Sequence, residues 1–192
     1  MPPTALFVID IQNDLITDPK TRIPAADRIR EAGTRILSVA RTVIDSRDPS
    51  TPSPLVLVFV QHEDLPGKGP LKKDTEPWGL VFEPRESEDE VLVHKTTRDT
   101  FASNPDLAGR LKEMGVKTIV AFGIQSECCV ESTCRGALEA GFEVVLLSGA
   151  HSTYDADGKT AVEIEREVEE RLKGLGAKNM GWDREWETAG FF

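Results

Sequence analysis

Apolar residues recur along the chain in short continuous runs, separated by segments in which they return every three to four positions. The continuous runs are rich in Val, Ile, Leu and Phe, which is typical of parallel strands buried on both faces of a sheet. The intervening spacing is that of amphipathic helices. The predicted strands cover 4–10, 54–61, 90–95, 117–124, 142–150 and a short segment near 177–180, and the predicted helices cover 25–46, 104–114, 128–140 and 160–173.

This alternation of strands and helices predicts an α/β fold with right-handed crossovers. The 192 residues suit a single domain over 1–192 with a sizeable core. The connection over 62–89 is long for a compact domain, so we expect it to be functional, either as a lid or as an interface arm. The aromatic tail over 181–192 is expected to dock on the core or on a second subunit rather than to bind ligand.

Charge and cysteine usage narrow the classes of function. The net charge of -10 and the pI near 4.9 argue against nucleic acid and anionic membranes as partners. The apolar runs are too short to span a bilayer, and the amino terminus lacks the basic region of a secretory signal, so we expect a cytoplasmic protein. Three cysteines give no disulfide framework, and free thiols are expected in a reducing compartment.

A carboxylate, a lysine and a pair of thiols fall at the carboxyl ends of predicted strands. Asp10 ends the first strand, Lys95 ends the third, and Cys128 and Cys129 open the helix after the fourth. Ligands of open parallel sheets bind beyond these strand ends, so the four side chains are expected to converge on one rim. The three histidines of the chain are expected at the same rim: His62, His94 and His151.

The three cysteines differ in their predicted surroundings. A helix amino terminus favours thiolate and lowers a cysteine pKa from about 8.5, which applies equally to Cys128 and Cys129. Cys134 lies at helical spacing from apolar neighbours and is expected in the core. The cysteine spacings supply neither a zinc pattern nor a redox C-x-x-C pair, and a strained bond between the adjacent thiols is a minor option.

Three segments together resemble the isochorismatase-like cysteine hydrolases: ALFVIDIQND around Asp10, VHKTTRDTF around Lys95, and GIQSECCVESTCRGALEAGF around Cys129. In that family the nucleophile is the cysteine followed by valine, so the resemblance selects Cys129 over Cys128. It implies a Rossmann-like three-layer α/β/α sandwich with a mainly parallel six-stranded sheet. It also implies a homodimer or homotetramer.

The same resemblance implies a catalytic triad of Asp10, Lys95 and Cys129 that hydrolyses a small-molecule amide or lactam through a thioester. It further implies a cis peptide bond between Ile124 and Gln125, with the backbone N–H groups of Gln125 and Cys129 facing the oxyanion. No cofactor is expected. Nicotinamidases of the family bind a metal through an Asp-x-His pattern, and this chain has QHED in that place, so no metal is expected either.

Five further residues are candidates for substrate contact, although packing is an equal alternative for several of them. The segment AHSTYDADGK resembles a branch of amide and lactam hydrolases that includes streptothricin hydrolase. Two other functions stay open at this point: a non-catalytic binding or scaffold protein on the same fold, and a thiol redox sensor that uses Cys128 and Cys129. The five candidates are Gln12, His62, Trp78, Phe101 and His151.

Overall fold

The computed structural model describes residues 3–48, 50–183 and Trp186, which surround one sheet of six strands. Every neighbouring pair of strands is parallel, and the order across the sheet is β3-β2-β1-β4-β5-β6. The strands are β1 (Thr4–Ile9), β2 (Leu55–His62), β3 (Glu90–Lys95), β4 (Thr118–Ile124), β5 (Glu143–Ser152) and β6 (Lys178–Gly181).

The helices lie between the strands in the chain, as the periodicity predicts. They are α1 (Asn13–Ile16), α2 (Ala26–Ser46), α3 (Thr100–Ser103), α4 (Leu107–Glu113), α5 (Glu131–Glu139) and α6 (Ala161–Gly174). A 3₁₀ turn covers Glu76–Trp78, and a single π-helical turn over Ser126–Val130 precedes α5. Among the described helices, none is long and apolar enough to cross a membrane.

Strand β1 contributes side chains to the hydrophobic cores on both faces of the sheet. All six of its residues are buried, and successive side chains point to opposite faces. Leu6 and Val8 join the core cluster that packs under α2, whereas Phe7 and Ile9 join the cluster under α5 and α6. The result is a three-layer α/β/α sandwich built on six parallel strands, which confirms the predicted fold class.

Strand β3 differs from the prediction of a strand buried on both faces. It lies at the edge of the sheet and alternates, with Leu92 and His94 exposed and Val93 buried. An edge strand has only one neighbour, so part of its surface stays in water. His94 lies at the carboxyl end of β3, as predicted, but its ring stacks on Trp78 with 5.7 Å between centroids and does not line the cavity beside Cys129.

The predicted helix over 104–114 is shorter, since α4 covers Leu107–Glu113, and the separate short helix α3 precedes it. Residue Asn104 ends α3 with φ -134° and ψ 74°, because Pro105 disfavours helical backbone at the preceding position. Its side chain donates to the carbonyls of His94 and Thr100 instead of capping α4. Met114 follows the end of α4 and is 44% exposed.

The connection over 62–89 and the aromatic tail both pack against the body of the fold. Leu80 forms an antiparallel bridge with Gln12, and Leu71 and Leu80 are buried. Trp182 and Trp186 pack into the core cluster that includes α2, as expected for a docked tail. The two phenylalanines at the end of the tail lie outside the described residues.

Candidate active site

The candidate site lies where the strand order reverses, between β1 and β4. The chain runs from β1 to β2 on one side and from β4 to β5 on the other, toward opposite edges of the sheet. The two connections therefore separate and leave a crevice at the carboxyl ends of β1 and β4. The two strands approach closely there. A Cβ on Gly123 would lie 2.0 Å from the carbonyl oxygen of Ile9, and Gly123 has φ 140°, so only glycine fits.

Asp10 follows β1 directly and points into this crevice. Its backbone has φ 49°, a conformation that non-glycine residues adopt mainly in tight or functional segments. The residue is only 1% exposed, and its carboxylate lies 2.7 Å from Lys95 Nζ. Within the described part of the chain, this ammonium is the close partner of Asp10, whose oxygens accept no hydrogen bond of regular geometry.

Lys95, the last residue of β3, reaches across the end of β2 to the same point. Its Nζ donates to the carbonyl of Thr97 at 3.1 Å and to Cys129 Sγ at 3.2 Å. Burial alone would lower the pKa of Lys95, but the nearby Asp10 and Cys129 raise it, and the net shift is upward. Lys95 is therefore a buried, permanently charged ammonium shared by a carboxylate and a thiol.

Cys129 lies in the π-helical turn that follows β4. Its pKa is raised, first by burial and then by the negative charge of Asp10, while Lys95 opposes the shift. The expectation that the helix terminus stabilises a thiolate is therefore wrong for the resting protein. Desolvation and a neighbouring carboxylate outweigh the helix, and the thiol is protonated until a base removes the proton.

The other two cysteines occupy different surroundings. Cys134 is buried in the core beneath α5 and α6, as predicted, and burial raises its pKa to about 12. Cys128 is half-buried at the cavity wall, and its pKa is raised by burial and then by Glu127. All three are free thiols.

His62 completes the polar group around Lys95. Its Nδ1 lies 3.2 Å from Lys95 Nζ, and its Nε2 lies 3.4 Å from a carboxylate oxygen of Asp64. Burial and the charge of Lys95 lower the pKa of His62, so the ring is neutral near pH 7. Since a charged lysine only donates, Nδ1 accepts from Lys95, and we assign the proton to Nε2 facing Asp64.

The same group contains three residue types that can bind a metal ion. Asp10, His62 and Cys129 bring possible ligand atoms within 4.8 Å of one another. However, Lys95 Nζ lies 2.7 Å from Asp10 and 3.2 Å from each of the other two residues. The charged ammonium thus lies within contact distance of all three residues, and a divalent cation bound by them would be repelled by it. The residues do not fit a metal ion in this arrangement.

A cavity of about 320 Å³ opens onto this group. The peptide bond between Ile124 and Gln125 is cis, as the resemblance implies, and both residues form part of the wall beside Cys129. The opposite wall comes from α1 and from the segment after β5. The lining residues include Asp10, Asp14, Leu15, His62, Asp64, Lys68, Leu71, Arg98, Cys128, Cys129 and Tyr154.

Of the five candidates for substrate contact, His62 is the one that lines this cavity. Gln12 is fully buried; its amide bonds to His62 and to the carbonyl of Trp78, so it orders the two segments. Trp78 lies outside the cavity lining. Phe101 packs in the core, stacked on Phe7, because its helix turns it toward the sheet. The structure corrects the prediction of substrate contact for these three residues.

His151 is also corrected, because it is fully buried behind the cysteine loop. Its Nδ1 lies 2.8 Å from Ser126 Oγ, and its Nε2 lies 3.3 Å from Glu169. The side chain therefore ties the start of the π-helical turn to α6 and does not contact a ligand in the cavity. The sequence pattern placed His151 at the correct strand end but could not give the direction of its side chain.

Sequence reasoning did not select Asp14 or Tyr154, and both line the cavity. A signal for Asp14 was available, because it lies four residues after Asp10, in the first turn beyond β1. For Tyr154, two residues beyond β5, the contact depends on how that segment folds back over Thr21, whose carbonyl accepts its hydroxyl hydrogen. Such long-range contacts have no local sequence signature.

The fold and site define the class: a parallel α/β sandwich with an Asp–Lys–Cys group at its topological switch point. The isochorismatase domain model matches residues 4–167 of the chain. The chain is 33% identical over 154 residues to a streptothricin hydrolase of Streptomyces noursei, which covers 80% of this chain and 56% of that protein. It is 30% identical over 169 residues to the uncharacterised isochorismatase family protein YddQ of Bacillus subtilis, covering 86% and 83% respectively.

The solved structure of an isochorismatase-like hydrolase from Alkaliphilus metalliredigens has a TM-score of 0.78 with this chain at 27% identity, and the match covers 97% of this chain and 99% of that one. The chain therefore belongs to the isochorismatase family. It spans about half the length of the streptothricin hydrolases that it matches.

Proposed function

We propose that this chain hydrolyses the C–N bond of a small-molecule amide or lactam through a thioester on Cys129. The observation that carries the proposal is the position of Lys95 Nζ, 2.7 Å from Asp10 and 3.2 Å from Cys129 Sγ, beside the cavity. A nucleophile, a base and a fixed positive charge within contact distance are what covalent acyl transfer requires. The names of the related hydrolases support the same reaction class.

The proposed reaction begins with a protonated thiol, since burial and Asp10 keep the pKa of Cys129 high. Asp10 removes the thiol proton as the sulfur attacks the carbonyl carbon, and an S–C bond forms while the carbonyl oxygen becomes an oxyanion. The C–N bond then breaks, and Asp10 returns the proton to the nitrogen of the leaving amine. Water, deprotonated by Asp10, attacks the thioester carbon and the S–C bond breaks. The carboxylic acid leaves, and Asp10 passes the proton to Cys129 Sγ, which restores the thiol.

Lys95 has an electrostatic role in this scheme. Its positive charge lowers the energy of the thiolate that develops on Cys129 and holds the Asp10 carboxylate in place. The backbone N–H groups of Gln125 and Cys129 are the proposed donors to the oxyanion. The group needs no metal ion, because the ammonium supplies the positive charge at the position between Asp10, His62 and Cys129.

The substrate proposal stays at the level of small-molecule amides and lactams. The streptothricin hydrolases are about twice as long as the matched region, so their named substrate is not transferred to this chain. The test is a set of lactams, nicotinamide, ureido compounds and simple amides. Ammonia release follows nicotinamide, the ureido compounds and the primary amides, mass spectrometry of the products follows the ring-opened lactams, and mass spectrometry of the intact protein detects an adduct. We expect turnover of at least one class and an acyl adduct on Cys129.

The Cys129→Ala variant is the decisive control. If it turned over a verified substrate at the wild-type rate, the nucleophile assignment would fail. Turnover without any trappable adduct on Cys129, in rapid-quench samples, would favour direct attack by water instead. A protein that binds amides but turns none of them over would support the alternative of a non-catalytic binding protein.

A further inference from the structure

Asp14 is a buried carboxylate at the wall of the cavity that contains Cys129. It lies in α1, is 8% exposed, and faces the same space as Cys129 and Asp10. Among the residues that the structure describes, it has neither an ion-pair partner nor a side-chain hydrogen bond. Since Asp14 lines the cavity and has no donor from the described protein, its carboxylate can accept from a donor group of a ligand bound there.

The other buried carboxylates of the described chain show how unusual this is. Asp10 pairs with Lys95, and Glu90 accepts two hydrogen bonds from Arg41. Glu131 and Glu165 are each bound by arginine side chains. Each of these four carboxylates has a cationic partner, whereas the described residues supply none for Asp14.

The polar neighbours of Asp14 do not supply the missing donor. The hydroxyl hydrogen of Tyr154 is donated to the carbonyl of Thr21, and burial, followed by the charge of Asp14, raises the pKa of Tyr154. Lys68 and Arg98 also line the cavity, but both are exposed residues at its mouth, where solvent screens their charge. Among the described residues, none therefore places a cation against the Asp14 carboxylate.

The second acidic group at the cavity, Asp64, is already engaged. One of its oxygens accepts the backbone N–H of Leu71 at 2.9 Å, and the other faces His62 Nε2 at 3.4 Å. Asp14 is thus the carboxylate that remains free to accept from a ligand. A carboxylate in a partly desolvated pocket selects strongly for an ammonium or guanidinium, because charge-assisted hydrogen bonds are the stronger ones.

We propose that Asp14 binds a cationic group of the substrate, an ammonium or a guanidinium, while the amide carbonyl of the same molecule lies at Cys129. This deepens the proposed function and rests on it for the identity of the reacting bond. The substrate class becomes small amides or lactams that carry a protonated amine or guanidine. Asp14 acts in specificity, and the Asp10–Lys95–Cys129 group acts on the bond.

The test compares three primary amides of matched size: cationic 6-aminohexanamide, its neutral isostere heptanamide, and the anionic monoamide of adipic acid. Binding to the Cys129→Ala protein is measured by calorimetry, and kcat/KM is measured with the wild type. We expect the cationic amide to be preferred over the neutral one by about tenfold or more, which is the range of one charge-assisted hydrogen bond. The anionic amide is expected to be the poorest ligand.

The variant is Asp14→Asn, which keeps the shape of the side chain and removes its charge. The readout is the kcat/KM of the cationic amide divided by that of the neutral amide, together with the same ratio of their binding constants. General damage to the fold would not change these ratios. We expect each ratio to fall by about tenfold. The matched control is Asp18→Asn, which removes an equal charge from an exposed carboxylate four residues away and is expected to leave the ratio unchanged.

Equal or undetectable binding of the cationic and neutral amides would overturn the inference, as would an Asp14→Asn protein with an unchanged ratio. A preference for the anionic amide would also overturn it, and would indicate that Lys68 and Arg98 bind the charged group of the substrate. Preferential binding of the cationic amide without any turnover would uphold the role of Asp14 and count against the proposed hydrolysis. The binding and kinetic results thus separate the two proposals.

Discussion

The side-chain nitrogen of Lys95 lies 2.7 Å from a carboxylate oxygen of Asp10, and both side chains are almost wholly buried. In a desolvated site each of these charges stabilises the other, because removal of one would leave the other buried without an opposite charge. The same nitrogen lies 3.2 Å from Cys129 Sγ, so the buried pair also contacts the proposed nucleophile.

Removal of one member of this pair is expected to destabilise the protein strongly. Lys95→Met leaves the Asp10 charge buried and unpaired, and we expect the free energy of unfolding to fall by about 3–5 kcal/mol. The double variant Asp10→Asn with Lys95→Met is expected to recover part of this loss, since it leaves no unpaired charge. Urea unfolding at pH 7 measures all three differences.

The exposed pair of Arg22 and Asp27 provides the control for that experiment. Arg22 Nη1 lies 3.3 Å from Asp27 Oδ1, but the Asp27 side chain is 76% exposed. Asp27→Asn is expected to change the free energy of unfolding by less than about 1 kcal/mol. Equal effects of Lys95→Met and Asp27→Asn would show that burial does not strengthen the dependence between Asp10 and Lys95.

The sequence allowed the elements and the convergence of Asp10, Lys95 and Cys129 to be predicted, because the ends of buried strands have local signatures. Buried parallel strands read as continuous apolar runs, and the strands begin and end within two residues of the predicted limits. Asp10, Lys95 and Cys129 were found because each follows or ends such a strand. The choice of Cys129 over Cys128 came from the family pattern, and the contact between Cys129 and Lys95 agrees with it.

What the sequence could not give depends on contacts between distant segments. The high pKa of Cys129 arises from burial and from Asp10, more than a hundred residues earlier in the chain, and these outweigh the local effect of the helix terminus. The exposure of His94 follows from the position of β3 at the sheet edge. His151 turns inward because Ser126 and Glu169 bind it. The single-domain and homo-oligomer expectations stay predictions.

Substitution of Cys129 is expected to reduce activity, whereas substitution of Cys134 is expected to reduce stability. Cys129→Ala removes the proposed nucleophile, and we expect the rate on a verified amide to fall by about a thousandfold or more, with little change in unfolding. Cys134→Ala leaves a small void in the core, and we expect a loss of about 1–2 kcal/mol in unfolding free energy with turnover retained. The reverse pattern would exchange the roles of the two residues.

The reactivity of the Cys129 thiol should depend on Asp10 in a defined direction. Burial and Asp10 raise the pKa of Cys129 above its ordinary value, so the wild-type thiol is expected to alkylate slowly with iodoacetamide at pH 8. Asp10→Asn removes the negative neighbour and leaves Lys95, so the pKa falls and alkylation becomes faster. Catalytic turnover, in contrast, is expected to decrease, since the base is lost.

This experiment is cleanest in a Cys128→Ala background, in which peptide mass spectrometry assigns the label to one thiol of the loop. Cys134 serves as the internal control, because a core thiol should stay unlabelled in every folded variant. A wild-type labelling profile with its midpoint near the ordinary cysteine pKa of about 8.5 would contradict the proposed resting state. So would an Asp10→Asn protein that labels no faster.

Glu131, at the start of α5, forms an ion pair with Arg171 of α6, and this ion pair is expected to weaken in acid. Its carboxylate accepts from Arg171 at 2.6 Å and from Arg135 at 2.6 Å. Burial acts to raise the pKa of Glu131, but the two guanidinium groups outweigh it, and the net shift is downward from 4.5. The folded state therefore favours the charged form, and its contribution to stability is present above the unfolded pKa and is lost as pH falls through the folded pKa.

Glu131→Gln is accordingly expected to lower the free energy of unfolding by about 1 kcal/mol at pH 7, because the two arginines are partly exposed and solvent screens the pairs. The difference between wild type and variant should shrink steadily below about pH 4.5. Urea unfolding from pH 7 to pH 3 follows this difference, with Glu163→Gln at the exposed start of α6 as a comparison. A Glu131→Gln difference that stayed constant with pH would mean that packing of the side chain, and not its charge, links α5 to α6.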